Sequence, residues 1–200
     1  VNEGSRRVGD AGGPESRPER RVRTDGSGSG VAGPHDVVVR RATRADLLDV
    51  YRIEKQCFTQ PWPYAAFETF LDQPGFLVAV DGREAVADTL VGDGSPVVGY
   101  VVSDVMPNHG RGIGHVKDIA VRPDARGAGL GRHLLHRALV ALSVGGASLV
   151  KLEVRVSNDA ALSLYRDVGF EPVRRVRGYY ADGEDAFVMV LDVDAWRGRG

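Results

Sequence analysis

Two hundred residues, 42% hydrophobic and 26% charged, supply one globular domain with room for a tail. Twenty-six basic against 27 acidic residues leave a net charge of −1, without the basic excess of a polyanion binder, so no direct nucleic-acid binding is expected. No run approaches the ~18 apolar residues of a membrane span, no apolar signal segment opens the chain, and the single Cys57 can form neither an internal disulfide nor a Cys-rich zinc site; no membrane contact and a reducing, cytoplasmic home are expected.

The first 35 residues hold eight Gly and six Arg but no Leu, Ile or aromatic residue. They cannot bury enough apolar surface to offset their ordering entropy, which predicts a disordered Gly/Arg-rich tail over 1–36, a folded domain over 37–194 and a short flexible end over 195–200. Val37–Arg41 reads as a strand. Thr43, with Asp46 three residues on, forms an approximate capping box for a helix reaching about Gln56. Two prolines in Phe58-Thr-Gln-Pro-Trp-Pro63 forbid its continuation, and Pro63 suits the start of a second helix over Tyr64–Asp72. Strands follow at 76–80 and 97–105, separated by a Gly- and Asp-containing excursion over 83–96.

The second half alternates regularly: a strand over 115–121, an amphipathic helix over 129–143, a strand over 148–156 and a helix over 158–168 closed by Gly169. Two last strands, 170–180 and 185–193, meet at a turn in Ala181–Glu184. This order predicts an α/β sandwich with a mixed sheet.

Chemistry concentrates where the strand ending at Val121 meets Arg126-Gly-Ala-Gly-Leu-Gly131 and a helix. Glycines there let backbone N–H groups approach an anion, and the helix dipole adds about half a positive charge, so a pyrophosphate is the natural guest. A Walker loop would need Gly-Lys-Ser/Thr where Gly131-Arg132-His133 stands, and the glycine spacing is not that of a dinucleotide fold. Taken singly, Glu153 reads equally as a cross-strand charge partner, Tyr165 as a core tyrosine on the stripe Ala161, Leu164, Tyr165, Val168, and Asn158 as an N-cap. Four histidines (His109, His115, His133, His136) invite a metal reading. His133 and His136 share a helix with no acidic residue at ligand spacing, so no metal is expected.

Arg126, Gly129 and Gly131 match the Arg/Gln-x-x-Gly-x-Gly/Ala loop of the GCN5-related N-acetyltransferase (GNAT) superfamily. Leu152–Asn158, Ala161–Phe170 and Gly178–Ala186 resemble its RimI/Ard1 branch, which acetylates protein N-termini, and Phe58–Trp62 resembles a loop of the RimI side. The resemblance spans about residues 37–193. It implies a single-domain α/β GNAT fold, with a mixed, mostly antiparallel central sheet flanked by helices on both faces, and direct acetyl transfer from acetyl-CoA, as co-substrate, to the α-amino group of a protein N-terminus. A ribosomal-protein alanine is one candidate substrate and ribosome association one partnership.

By the same resemblance Ile119, Ala120 and Val121 would pair with the pantetheine arm. Arg126, Gly127, Ala128, Gly129, Leu130, Gly131 and Arg132 would cradle the pyrophosphate, and Asn158 would hydrogen-bond the cofactor. Glu153 would accept the proton and Tyr165, beside the sulfur, would return one to the leaving thiolate. Phe58, Trp62, Tyr179 and Tyr180 would line the peptide path. An α-amine with a pKa of about 7.7–8.0 needs only modest base help, whereas a carboxylate near 4.3 is a weak base unless burial or a water relay assists it. The alternatives are an acetyltransferase of lysine side chains or small amines, and a non-catalytic acyl-CoA sensor.

Overall fold

The computed structural model describes residues 37–82, 96–108 and 111–198. The predicted tail, nearly all of the 83–96 excursion and His109 lie outside the described residues. Seven strands form one sheet: β1 (Val37–Arg41), β2 (Leu77–Asp81), β3 (Val97–Asn108), β4 (Arg111–Val121), β5 (Ala147–Arg155), β6 (Glu171–Val176) and β7 (Ala186–Asp192). Their order is β1-β2-β3-β4-β5-β7-β6, and every neighbouring pair is antiparallel except β4 and β5. A parallel pair needs a crossover, and α3 (Leu130–Val144) supplies it.

The remaining helices are α1 (Leu47–Cys57), α2 (Tyr64–Glu68), α4 (Asp159–Val168) and α5 (Val193–Arg197). Two cores result, one on each side of the sheet. Leu134, Leu139, Leu152, Leu162, Tyr165 and Phe170 belong to the larger, with α3 and α4. Leu47, Val50, Phe67, Phe76 and Tyr100 belong to the smaller, under α1 and α2. Phe67, Phe76 and Tyr100 are fully buried, each side chain stabilising by roughly 1.5–3 kcal/mol. The mixed sheet flanked on both faces agrees with the sequence expectation.

Boundaries differ in instructive ways. The second helix stops at Glu68 rather than Asp72, because Thr69, Phe70 and Gln73 donate to carbonyls three residues back and tighten the chain into turns. Those turns deliver Gly75 against Ser103, where a Cβ would stand 2.4 Å from the Ser103 carbonyl oxygen. The strand expected over 170–180 ends at Val176, since Gly178 adopts φ 58° and its N–H donates to Asp185 Oδ1 at 2.9 Å. Tyr179 and Tyr180 therefore sit in the β6–β7 loop. In place of a flexible end from 195, α5 is capped by Asp192, whose Oδ1 accepts from Ala195 N at 2.9 Å, and Trp196 packs on the larger core.

Candidate active site

The sheet opens in its middle. β4 and β5 pair only from Gly112↔Ala147 to Val116↔Leu152. Lys117 is then an extra residue on β4, because Val116 opposes Ser103 while Asp118 already opposes Val102. Such a bulge bends its strand, and here β4 parts from β5 directly after it. Beyond the bulge Ile119, Ala120 and Val121 stay paired to β3, and Glu153, Val154 and Arg155 to β7, but not to each other. A notch flanked by two strand edges results, and the backbone edge at 119–121 offers hydrogen bonds to an extended ligand.

At the far end of β4, a 3₁₀ turn over Pro123–Ala125 leads into the glycine loop. Gly127 and Gly129 have φ 84° and 78°, and a Cβ on either would meet no atom within 4 Å. Their left-handed backbone turns the chain into α3, and no side chain caps that helix. The first N–H groups of α3 thus remain available to an anion. Gly131 instead faces the protein, where a Cβ would make ordinary contact with Leu164 at 3.5 Å. The two arginines of the loop face the protein. Arg126 donates through Nε to the Val121 carbonyl (3.0 Å) and reaches Cys57 Sγ at 3.1 Å, and Arg132 pairs with Asp167 at 2.8 Å. An anion at this loop would therefore meet backbone amides rather than guanidinium groups.

Glu153 points into the notch and meets a residue whose sequence context suggested only a possible metal ligand. His115 Nε2 lies 2.6 Å from Glu153 Oε2, both side chains about 15% exposed. Lys117 Nζ approaches His115 Nδ1 at 3.4 Å, and Lys151 Nζ donates to Glu153 Oε1 at 3.2 Å. A proton on Nε2, donated to Glu153, with Nδ1 as acceptor, satisfies both contacts of the ring. Burial alone would raise the Glu153 pKa, but hydrogen bonds and charge from His115 and Lys151 outweigh it and hold the carboxyl below the usual range. The assistance expected from burial is thus reversed: Glu153 stays ionised and is a poor base by itself.

Tyr165 is a core tyrosine, 6% exposed and edge-on to Phe170 at 5.9 Å. Its hydroxyl has no protein hydrogen-bond partner among the described residues, yet it is not among the sealed-off polar atoms. Burial, then the charges of Asp118 and Tyr180, push its pKa well above the usual tyrosine value. Tyr179 and Tyr180 both feel the charge of Glu153, and burial is the main cause that raises Tyr180 to about 12. Arg155 fixes their loop: its guanidinium lies 3.9 Å over the Tyr180 ring and pairs with Glu184 at 2.6 Å and Asp182 at 2.8 Å. Charge thus couples Glu153 to Tyr179 and Tyr180, and Tyr180 in turn to Tyr165.

Other expected site residues sit apart from it or play a second role. Asn158 caps α4, its Oδ1 accepting from Ala161 N at 3.1 Å. Phe58 is exposed, but Trp62 turns its ring onto Phe67 and Phe70, at 5.7 and 5.8 Å, and supports the loop from beneath. Sequence reasoning missed His115, Arg155, Glu54, Tyr100 and Asp118. An acidic residue on the core-facing side of α1 and another inside an apolar strand were the available signals. Among the described residues no cluster of three or more His, Cys, Asp or Glu side chains could hold a metal ion, and no helix is long and apolar enough to cross a membrane.

The sequence profile described as acetyltransferase (GNAT) family matches residues 47–170. The chain is 36% identical over 164 residues to an N-alpha-acetyltransferase of Sulfurisphaera tokodaii, covering 76% of this chain and 90% of that one. It is 37% identical over 166 residues to N-alpha-acetyltransferase RimI of Mycobacterium tuberculosis, covering 80% and 96%. The crystal structure of the ribosomal-protein-S18-alanine N-acetyltransferase from Escherichia coli matches with a TM-score of 0.63 and 28% identity, over 78% of this chain and 94% of that one. Strands that part beside a glycine-opened helix thus occur here in a sequence similar to RimI and another N-alpha-acetyltransferase along most of their length, and the chain belongs to the GNAT acetyltransferase family as an N-acetyltransferase.

Proposed function

We propose that this enzyme is a cytoplasmic protein N-alpha-acetyltransferase that moves acetyl from acetyl-CoA to the α-amino group of a protein N-terminus, without a covalent enzyme intermediate. The observation that carries the proposal is the His115–Glu153 contact of 2.6 Å at the mouth of the parted strands, overlooked by Tyr179 and Tyr180. Residues 119–121 align the pantetheine arm. The amides from Gly127 to Arg132 hold the pyrophosphate, and Asn158 contacts the arm from the start of α4.

The amine nitrogen attacks the thioester carbonyl carbon, a C–N bond forms, and the C–S bond breaks. His115 takes the amine proton, and ionised Glu153 stabilises the imidazolium through their hydrogen bond. Tyr165 hands its proton to the departing sulfur. A strongly held phenolic proton is a weak acid, so its service is a hydrogen bond that becomes full transfer as the thiolate forms. The tyrosine loop, pinned by Arg155, and Phe58 border a path suited to an extended, flexible N-terminus.

Peptides with free or blocked N-termini, each carrying an internal lysine, test this reading, beginning with an alanine N-terminus like that acted on by the E. coli enzyme. Mass localisation of the acetyl group on the α-amine supports it. Acetylation of the lysine in the blocked peptides at equal rate, or of small amines alone, overturns it.

A further inference from the structure

Behind the notch lies a group of side chains that acyl transfer does not use. Glu54 on α1 is 1% exposed, Tyr100 on β3 is fully buried, and Asp118 precedes Ile119 on β4. Tyr100 Oη stands 2.5 Å from Glu54 Oε2 and 2.8 Å from Asp118 Oδ2. A phenol has one proton to give. Burial, then Asp118 and Glu54, push its pKa far above the usual tyrosine range, so the proton stays with Tyr100 and can be donated to only one carboxyl. The other contact needs a proton on the second acid. Burial and the nearby charge of Glu54 push the Asp118 pKa up to about 8, which makes Asp118 the proton carrier, donating to Tyr100 Oη. Glu54 then takes the Tyr100 hydroxyl proton on Oε2 and the Trp62 backbone N–H on Oε1 at 2.7 Å.

The chain of contacts runs Asp118–Tyr100–Glu54–Trp62 N–H and joins the β4 edge to the Phe58–Trp62 loop. We propose that Asp118, Tyr100 and Glu54 form a proton-dependent latch that clamps this loop to β4 and so positions the peptide-facing wall, closed while Asp118 keeps its proton and loosened when it is lost. The latch rests on the proposed function only in taking that wall to face a peptide. Loss of the proton leaves two carboxylates around one phenolic hydrogen and drives Asp118 from Tyr100. The groups facing Asp118 are Glu54 and the Cys57 thiol from α1, Tyr100 from β3, and the hydroxyl of Tyr165 from α4. Arg126 lies behind Cys57, and the Ile119 N–H favours the ionised form. Burial and the Glu54 charge outweigh the Tyr100 and Ile119 hydrogen bonds, which favour the ionised form, and leave the proton in place at neutral pH.

Trp62 reports on the latch directly. The chain has two tryptophans, and Trp196 lies 5.8 Å from the titratable His136 ring, so Trp196→Phe isolates the Trp62 signal. In that variant Trp62 emission is expected to show one transition centred near pH 8, absent when Asp118→Asn is added, because the amide keeps the shape and donates to Tyr100 at every pH. Peptide KM in the parent should rise at least threefold from pH 7 to 9, with acetyl-CoA KM unchanged, and stay flat in Asp118→Asn. An emission profile without a transition, or one that survives Asp118→Asn, overturns the latch. Should Asp118→Asn fail to fold, infrared spectra of the unaltered protein decide: a neutral-carboxyl band present at pH 6 and lost by pH 9.5 supports the latch, and its absence at pH 6 refutes it. A Trp62 transition in a protein that acetylates no N-terminus keeps the latch and sinks the proposed function; acetylation without the transition does the reverse.

Discussion

His115 and Glu153, 2.6 Å apart and each about 15% exposed, should behave as one unit when either is changed. Glu153→Gln keeps the shape but removes the charge that holds the imidazolium. A charge-assisted hydrogen bond in such a site contributes about 1.5–3 kcal/mol, which at about 1.36 kcal/mol per decade predicts a loss of roughly ten- to 150-fold in kcat/KM. His115→Asn removes the proton acceptor itself, for which about 10²-fold is expected, near the lower bound for general bases because a free α-amine is already partly neutral at pH 8. The double variant should lose little more than His115→Asn alone, giving a coupling of about 1–3 kcal/mol, since Glu153 has no imidazolium left to stabilise. The assay is initial-rate acetylation of a free-N-terminus peptide at saturating acetyl-CoA, with a thermal melt of each variant to exclude misfolding. Strictly multiplicative losses would refute the paired role, and an unaltered rate in Glu153→Gln would remove that residue from the chemistry.

Gly129→Ala should weaken acetyl-CoA binding at least tenfold by calorimetry, since its Cβ would project into the open cradle; the left-handed backbone adds a stability loss of about 1–2 kcal/mol, read as a lower melting temperature. Arg155→Ala releases Glu184, Asp182 and the Tyr180 ring together, so peptide KM should rise several-fold while acetyl-CoA KM holds. Asp118→Asn should stabilise the fold more at pH 8 than at pH 5. The folded carboxyl titrates near 8 against about 3.9 in an unfolded chain, so the native state holds the extra proton between those values and the parent loses stability as pH rises through that window. Urea melts at the two pH values measure the difference, and a gain that shrinks with pH would contradict the assignment.

Strand and helix periodicity located the elements of the domain because each has one apolar face, as on β5 where Val150, Leu152 and Val154 are buried between the partly exposed Lys151, Glu153 and Arg155. The glycine loop was legible for a similar reason: a left-handed backbone at 127 and 129 leaves a residue-type signature. Partnership across strands was not. His115 and Glu153 are 38 positions apart and meet only because a parallel crossover sets β4 beside β5. The latch was less visible still: Glu54 shares the helical stripe of Leu47 and Val50, but only the packing of α1 over β3 gives its carboxyl the partner Tyr100. The early end of α2 depended on Gly75 having to pass Ser103, a tertiary constraint that propensity does not encode.

The single extra residue at Lys117 has a consequence for solubility as well as for chemistry. Unsatisfied strand margins invite other chains to stack on them, and proteins ordinarily shield such margins. Here the gap lies in the centre of the sheet, so an extended thioester-bearing arm seated against 119–121 would act as a borrowed eighth strand. Ligand that binds only the native form stabilises it in proportion to the logarithm of its concentration, about 2.7 kcal/mol at 100 times Kd. Donor bound there would therefore both stabilise the fold and cover the strand edges that the bulge leaves open.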